Sequence, residues 1–374
     1  MSDFGFPLPH VVSIPPYPPG RPIDAVAREF GLDPAAVVKL ASNENPLGCS
    51  PKAAEALRVA VAETHLYPDF DCHALRHAIA AHVGVAADHV LPGAGSSEII
   101  LLAARAWLDA ARAAVIPQYA FQSYEGAIRS VGAEPIVVPV RDWKPDLDAM
   151  LAAATDKRVH LVYLATPNNP TGTIIPRDEL ERFAEALPAH VLLVLDEAYR
   201  EFLPDDEQVD IARLFARRRN LLVMRTFSKV YGLAALRVGY GIGDPELLAL
   251  LRRLQLPFSV SAPAQAAAVA ALGDTAFVDT ARRENETERT RMAAAFDAMG
   301  IETIASAGNF VLARTGDGAA NARALMQKGV IVRPVANYGL PDWLRVSVGL
   351  PHENDLFFEK LREVRSEMPK AAVA

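Results

Sequence analysis

Residues 191–202 read VLLVLDEAYREF: five apolar residues without a break, then an aspartate, then a mixed polar and aromatic run. A strand that is apolar at every position has both faces covered, the pattern of a parallel sheet lying between layers of helices. Comparable short runs occur at 114–116, 135–140, 160–165, 220–224 and 238–242, and apolar residues recur at helical spacing between them. The chain is therefore read as α/β, a mainly parallel sheet sandwiched by helices. In such sheets ligands gather at the carboxyl ends of the strands. From 256 to 263 the rhythm changes, and helices expected at 264–272 and 277–299 lead to strands near 309–314 and 344–348, a second and smaller α+β unit.

Pro7, Pro9, Pro15, Pro16, Pro18, Pro19 and Pro22 crowd residues 7–22. Their fixed φ angles and missing donors exclude helix and interior strand there and predict an extended arm, with Tyr17 in it able to reach a neighbouring subunit. A short helix is expected at 23–30, stopped by Gly31, followed by a loop through KLASNENPLGCSP (39–51) and helices at 51–62 and 73–82. The expected organisation is residues 1–45 as arm and part of the small domain, 46–258 as the large domain, and 259–374 as the small C-terminal domain.

With 374 residues, 51% hydrophobic and 22% charged, the chain can bury a large core. Its net charge of -7 argues against nucleic acid, which demands clustered cations. Arg217, Arg218 and Arg219 form one basic run, read as a solvated helix end. Cys49 and Cys72 lack the spacing of a metal site and suit a reducing compartment, so no metal is expected. The opening MSDFGFPLPH has no basic segment followed by an apolar one, and no apolar run is long enough to span a bilayer. A cytoplasmic protein without membrane or nucleic-acid partners is expected.

Four strand ends then offer polar groups at one edge. LVYLATPNNPTG (161–172) places Asn168 and Asn169 in a turn; Asp196 ends the run 191–195, with Tyr199 three residues on; MRTFSKVYGLAALRVGYG (224–241) brings Thr226, Ser228, Lys229 and Arg237; DWLRVSVG (342–349) places Arg345 on the face opposite Leu344, Val346 and Val348. A fifth feature, LPGAGSSEII (91–100), opens glycines onto a helix start, where free backbone N–H groups favour an anion. Taken singly these have ordinary readings: a turn, a helix cap, a surface lysine, a surface ion pair. Taken as a site, a desolvated lysine with cationic neighbours is a nucleophile able to form a Schiff base with a phosphate-bearing aldehyde.

The order PNNPTG, DEAY, Ser228-Lys229, Arg237 and LRVSVG resembles the fold-type I pyridoxal-phosphate aminotransferases, over almost the whole chain. More narrowly, KLASNENPLG, YPD (67–69), GAGSSE, PNNPTG, DEAYREF and RTFSKVYGLAALRVGYG look like histidinol-phosphate aminotransferases. The resemblance implies a seven-stranded sheet, pyridoxal 5'-phosphate as cofactor, and a homodimer with shared sites. It makes Lys229 the Schiff-base lysine and proton shuttle, Asp196 the partner of the pyridine nitrogen, and Asn169 and Tyr199 partners of the ring's 3'-oxygen. It assigns Ser96, Ser97, Ser228 and Arg237 to the phosphate with Thr226 assisting, and Tyr124 to stacking on the ring, with Phe121 close by. Tyr67 would reach the phosphate of the other subunit, while Tyr17, Asn43, Arg333 and Arg345 would contact substrate. The implied reaction is ping-pong transamination between L-histidinol phosphate and 2-oxoglutarate, forming glutamate. Ala94, Ala235 and SVSAPAQ (259–265) depart from the subgroup pattern and leave open an aromatic-amino-acid aminotransferase. A phosphothreonine-decarboxylase-like lyase shares the scaffold. A non-catalytic, cofactor-binding regulatory domain would carry a basic helix pair before the arm, and none is read there.

Overall fold

Side chains of the strand Leu192–Asp196 divide between two cores: Leu193 and Leu195 enter one apolar cluster, Leu192 and Val194 the other. The same alternation holds for Leu161 to Leu164 in the neighbouring strand. This two-sided burial, worth about 1.5–3 kcal/mol per large aliphatic side chain, is what the unbroken apolar runs encode. The computed structural model in which it is seen describes residues 7–367 apart from 13 and 17.

Seven strands lie in the order Val90–Gly93, Gly239–Gly243, Leu221–Thr226, Leu192–Asp196, Val159–Ala165, Ala113–Pro117, Glu134–Val138. Gly239–Gly243 runs antiparallel to both neighbours, and every other pairing is parallel. The expected mainly parallel sheet of seven strands is observed. Gly239, Gly241 and Gly243 alternate along the antiparallel strand. A Cβ on Gly239 would lie 2.6 Å from the Ser96 amide nitrogen, and one on Gly241 would lie 3.3 Å from Ile99. The helix Ser96–Trp107 therefore sits flush on backbone.

A second sheet has the order Val38–Leu40, Val330–Val335, Leu340–Ser347, Phe310–Arg314, Thr303–Ile304, with only the first pair parallel. Val38–Leu40 falls where the sequence predicts a loop. Three residues carry no detectable period, and this strand exists because Val330–Val335 offers it an edge. The helix Ala262–Leu272, placed by the sequence in the smaller unit, packs Ala264, Ala267, Ala268 and Ala271 into the cluster holding Ala53 and Leu75 beside the large sheet. The arm also departs from expectation, because Pro9–Val12 forms one helical turn. Proline is tolerated there since the first helical N–H has no partner to lose. Tyr17 lies outside the described residues.

The basic run at 217–219 is not simply a solvated helix end. Arg218 is buried and donates to five carbonyls: Ala184 at 3.1 Å, Leu187 at 2.9 Å, Pro188 at 3.1 Å, Asn220 at 3.1 Å, and Val191. It satisfies backbone acceptors in the last turn of helix Arg177–Ala186 and beyond it, and ties that helix to the start of the Asp196 strand. Arg218→Ala should cost roughly 3 kcal/mol, read as a lower urea midpoint with an unchanged slope; an unchanged midpoint would count against this role.

Candidate active site

Asp196 is the last residue of its strand and is buried. Its Oδ2 accepts from Tyr124 Oη at 2.7 Å and its Oδ1 from the Ala198 amide at 2.9 Å. Burial pushes its pKa up to about 6, while the Tyr124 phenol and the Ala198 amide pull it down. Glu197, next in sequence, also pushes it up, but points elsewhere into a buried pair with Arg225, at 2.8 Å to Nη2. Burial disfavours the charge on Arg225, yet Glu197, Tyr240 and Glu201 together more than offset this and hold its pKa above the ordinary value.

Lys229 follows the next strand, Leu221–Thr226, and donates from Nζ to the Ser42 carbonyl at 3.2 Å. It keeps part of its surface open to a cleft while the surrounding protein withdraws its amine from bulk water. Desolvation first, then the Arg345 and Arg237 cations, bring its pKa down to about 8, against the opposing pull of Glu44 and Asp196.

At one end of the cleft lies an anion cup. Gly95, at φ 76°, leads into the helix Ser96–Trp107, and the Arg237 guanidinium packs where a side chain on Gly95 would stand, 2.6 Å from an ideal Cβ. Arg237 itself has φ 52°, a left-handed conformation unusual outside glycine. Its Nη1 donates to the Ala234 carbonyl at 3.0 Å and to Ser228 Oγ at 3.4 Å, and Ser228 Oγ also accepts from Thr226 Oγ1 at 3.0 Å. Glu98 holds the turn by accepting from the Ala94 amide at 2.7 Å. One helix N-terminus, one arginine and a group of hydroxyls thus face one point, the donor set for a phosphate.

The other wall comes from the smaller sheet. Arg345 donates to Asn169 Oδ1 at 2.6 Å and to the Ala41 carbonyl at 2.7 Å. Arginine has no acceptor, so the Asn169 oxygen faces it and the Asn169 NH2 is left as a donor on the cleft side. Arg333 pairs with Arg345 in strand register and donates to the Pro18 carbonyl of the arm. Asn43, at φ 54°, donates to Tyr199 Oη at 2.9 Å and accepts from Ser347 Oγ at 3.0 Å. Burial raises the Tyr199 phenol to about 12, with Arg345 pulling the other way. Asp196, Lys229 and Arg237 with its hydroxyl partners open onto one cleft of about 410 Å³, together with Asn43, Asn169, Tyr199, Arg333 and Arg345.

A family model described as aminotransferase class I and II matches residues 35–360. The chain belongs to the class I and II aminotransferases. It is 50% identical over 356 residues to histidinol-phosphate aminotransferase 1 of Cupriavidus pinatubonensis, covering 94% of each chain. It is 49% identical over 368 residues to histidinol-phosphate aminotransferase 2 of Pseudomonas aeruginosa, covering 97% of this chain and 99% of that one. The crystal structure of histidinol-phosphate aminotransferase from Sinorhizobium meliloti in complex with pyridoxal-5'-phosphate superposes with a TM-score of 0.89 at 32% identity, covering 98% of this chain and 100% of that chain.

The aminotransferase brings Ser96, Ser97, Tyr124, Asn169, Asp196, Tyr199, Thr226, Ser228, Lys229, Arg237, Asn43, Arg333 and Arg345 around the same cleft. It does not bring Tyr67 there: Tyr67 is 84% exposed and stacks on Phe258 at 4.8 Å. Tyr124, which the resemblance assigns to stacking, lines the cleft with its ring buried. One face of its ring is covered by Tyr163 at 4.8 Å and 6°, and its hydroxyl is engaged by Asp196. Phe121, half-buried, lines the cleft beside Tyr124 and meets its ring edge-on at 5.8 Å. The two residues sit three apart at a helix start, so spacing alone did not separate them. Asn43 has its amide committed to Tyr199 and Ser347, which makes it a brace between the sheets. Ser42, whose carbonyl receives Lys229, was missed because a backbone acceptor leaves no residue-type signal.

A lysine whose folded pKa lies below its unfolded value is destabilising while charged, and stability rises as pH climbs from the folded to the unfolded pKa. Lys229→Met should therefore raise the Tm of the ligand-free aminotransferase at pH 7 by a few degrees. The gain should shrink between pH about 8 and 10.5, where the wild-type amine loses its proton in both states. A gain that stays constant over that window would contradict the desolvated lysine.

Proposed function

We propose that this aminotransferase carries pyridoxal 5'-phosphate and moves the amino group of L-histidinol phosphate to 2-oxoglutarate. The observation that carries the cofactor is the meeting, in one cleft, of the Arg237 cup, the buried Asp196 and a lysine brought to a pKa of about 8. Ser96, Ser97, Thr226, Ser228 and Arg237 would hold the phosphate. Asp196 would face the pyridine nitrogen, the Asn169 amide and Tyr199 phenol would donate to the 3'-oxygen, and Phe121 would lie against the ring. When bound, the cofactor supplies an electron sink for the substrate carbon that bears the amine.

The residues of this chain do the rest. Lys229 would hold the cofactor covalently between turnovers and, once released, take the proton from the amine-bearing carbon of the substrate and return it. A pKa of about 8 gives it a far larger uncharged fraction near neutrality than an exposed lysine has. Asp196, kept anionic by its two donors, supports positive charge on the ring side of the cleft. Arg345, already held by Asn169, would grip the carboxylate of glutamate and 2-oxoglutarate.

For the substrate, the supporting observation is the Arg333 and Arg345 pair on adjacent strands. Two guanidinium groups side by side match a phosphate monoester dianion better than a single carboxylate. The curated relatives in Cupriavidus pinatubonensis and Pseudomonas aeruginosa bear the name histidinol-phosphate aminotransferase, which supports the same reading. We also read the protein as a cytoplasmic homodimer. Leu66, Tyr67, Phe70, Leu256 and Phe258 are 41–84% exposed, and Tyr67 and Phe70 both pack on Phe258, an exposed apolar group of the kind that marks an interface. Tyr67 would then serve the partner's cup. The free thiols Cys49 and Cys72 suit a reducing compartment.

Purified protein should absorb in the visible range, and mass spectrometry after borohydride reduction should place the cofactor on Lys229. Lys229→Ala should lose that label and about 10²–10⁴-fold in kcat; retention of either would sink the reading. The ratio of kcat/KM for histidinol phosphate to that for phenylalanine should favour the phosphate, and Arg333→Ala should narrow it; a preference for phenylalanine would overturn the substrate. Light scattering should give twice the chain mass, with Tyr67→Ala weakening cofactor retention; a monomer that retains cofactor would exclude the shared site.

A further inference from the structure

We infer that Tyr124 is a positioning residue of the transamination, fixing the Asp196 carboxylate in the orientation and charge state that a protonated ring nitrogen requires. This role rests on the cofactor reading above and adds to it a residue that acts through Asp196.

Tyr124 is fully buried, and its place is set from three sides. Its ring lies parallel to that of Tyr163, at 4.8 Å and 6°; Phe121 meets it edge-on at 5.8 Å and 86°. Tyr163 is itself pinned by a 2.7 Å hydrogen bond from its hydroxyl to the Ile100 carbonyl. The phenol that reaches Asp196 Oδ2 at 2.7 Å is thus held by packing and cannot follow the carboxylate if it turns. With Ala198 N–H on Oδ1, the two oxygens each carry one fixed donor, which determines the plane of the carboxylate and the direction of its remaining lone pairs.

The adjacent carboxylate is treated differently. Glu197 is bound by the Arg225 guanidinium, whereas among the described residues no cation comes within ion-pair distance of Asp196. A salt bridge would orient Asp196 equally well but would compete with a cationic ring nitrogen for the same charge. Neutral donors orient the carboxylate and favour its ionised form while leaving its charge to be answered by the ligand. Asn43, by comparison, orients Tyr199 through an amide, again without charge.

Removing one hydrogen bond to a charged acceptor predicts that Tyr124→Phe lowers kcat about tenfold to a hundredfold. The KM values for histidinol phosphate and 2-oxoglutarate should change less than about twofold, because the ring and its packing are retained. The readout that a merely structural role would not move is the ¹⁵N shift of ring-labelled cofactor in the holoenzyme. It should report a protonated nitrogen in the wild type and a shift toward the unprotonated value in Tyr124→Phe. In an Asp196→Asn background Tyr124→Phe should cause no further loss, since the two act through one interaction. Tyr124→His, which can restore a donor, should recover part of the rate and serves as the second variant if Tyr124→Phe folds poorly. An unchanged nitrogen shift in Tyr124→Phe, or an equal and additive loss in the Asp196→Asn background, would overturn the inference. Neither result would touch the cofactor reading, which fails instead if wild-type protein retains no cofactor on Lys229.

Discussion

An amine can be kept close to losing its proton between two guanidinium groups only if the protein around it excludes water and holds both cations still. That constraint on Lys229 organises the molecule. Arg345 comes from the smaller sheet and is fixed by Asn169 of the larger one; Arg237 comes from the larger sheet and is fixed by Ala234 and Ser228. Neither sheet alone supplies both, so the electrostatics of the lysine depend on how the two are docked. The bonds that cross the junction, Arg345 to Asn169, Ser347 to Asn43 and Asn43 to Tyr199, are therefore as much a part of the chemistry as the lysine itself. They are buried and polar and run through a chain of partners, an arrangement in which the loss of one member leaves the others exposed to an unpaired desolvation cost.

The same logic accounts for two acidic neighbours that behave differently. Asp196 ends its strand and Glu197 is the first residue past it, and their side chains go to different surroundings. Glu197 meets Arg225 in the interior and is neutralised there, while Asp196 faces the cleft with uncharged donors. One step in the backbone separates a structural ion pair from a carboxylate whose charge is available to a ligand.

Much of this was legible in the sequence where a residue type and a strand end coincide. Asp196, Lys229, Arg237 and Arg345 announce themselves because a polar group directly after, or alternating within, an apolar run is costly to bury unless a partner or a ligand meets it. Six short apolar runs announce the mainly parallel sheet, while the count of seven is what the resemblance implies, since Val90–Gly93 is too short and too rich in Pro and Gly to show as a run. What could not be read had one of three physical causes. Val38–Leu40 is a strand by tertiary pairing alone, too short for any period. Ser42 contributes a carbonyl, which every residue has. Phe121 and Tyr124 share a helix start, and it is tertiary packing that stacks the second on Tyr163 and brings its hydroxyl to Asp196. The buried Arg218 belongs with these, since three consecutive arginines give no sign that the middle one turns inward to five carbonyls.

The glycines of the antiparallel strand bear on how this enzyme can vary. Gly239 allows the Ser96 amide to sit within 2.6 Å of where a methyl group would be, and Gly241 lets Ile99 close over the strand two residues further on. The position of the anion cup is thus measured from bare backbone, with no side chain able to act as an adjustable spacer. A side chain that grips a substrate can be exchanged for one of another length while its neighbours take up the difference. A change at Gly239 has no such remedy, because the object it displaces is the peptide that would hold the cofactor. The evolvable and the frozen parts of the cleft are therefore divided by whether a side chain or the main chain makes the contact.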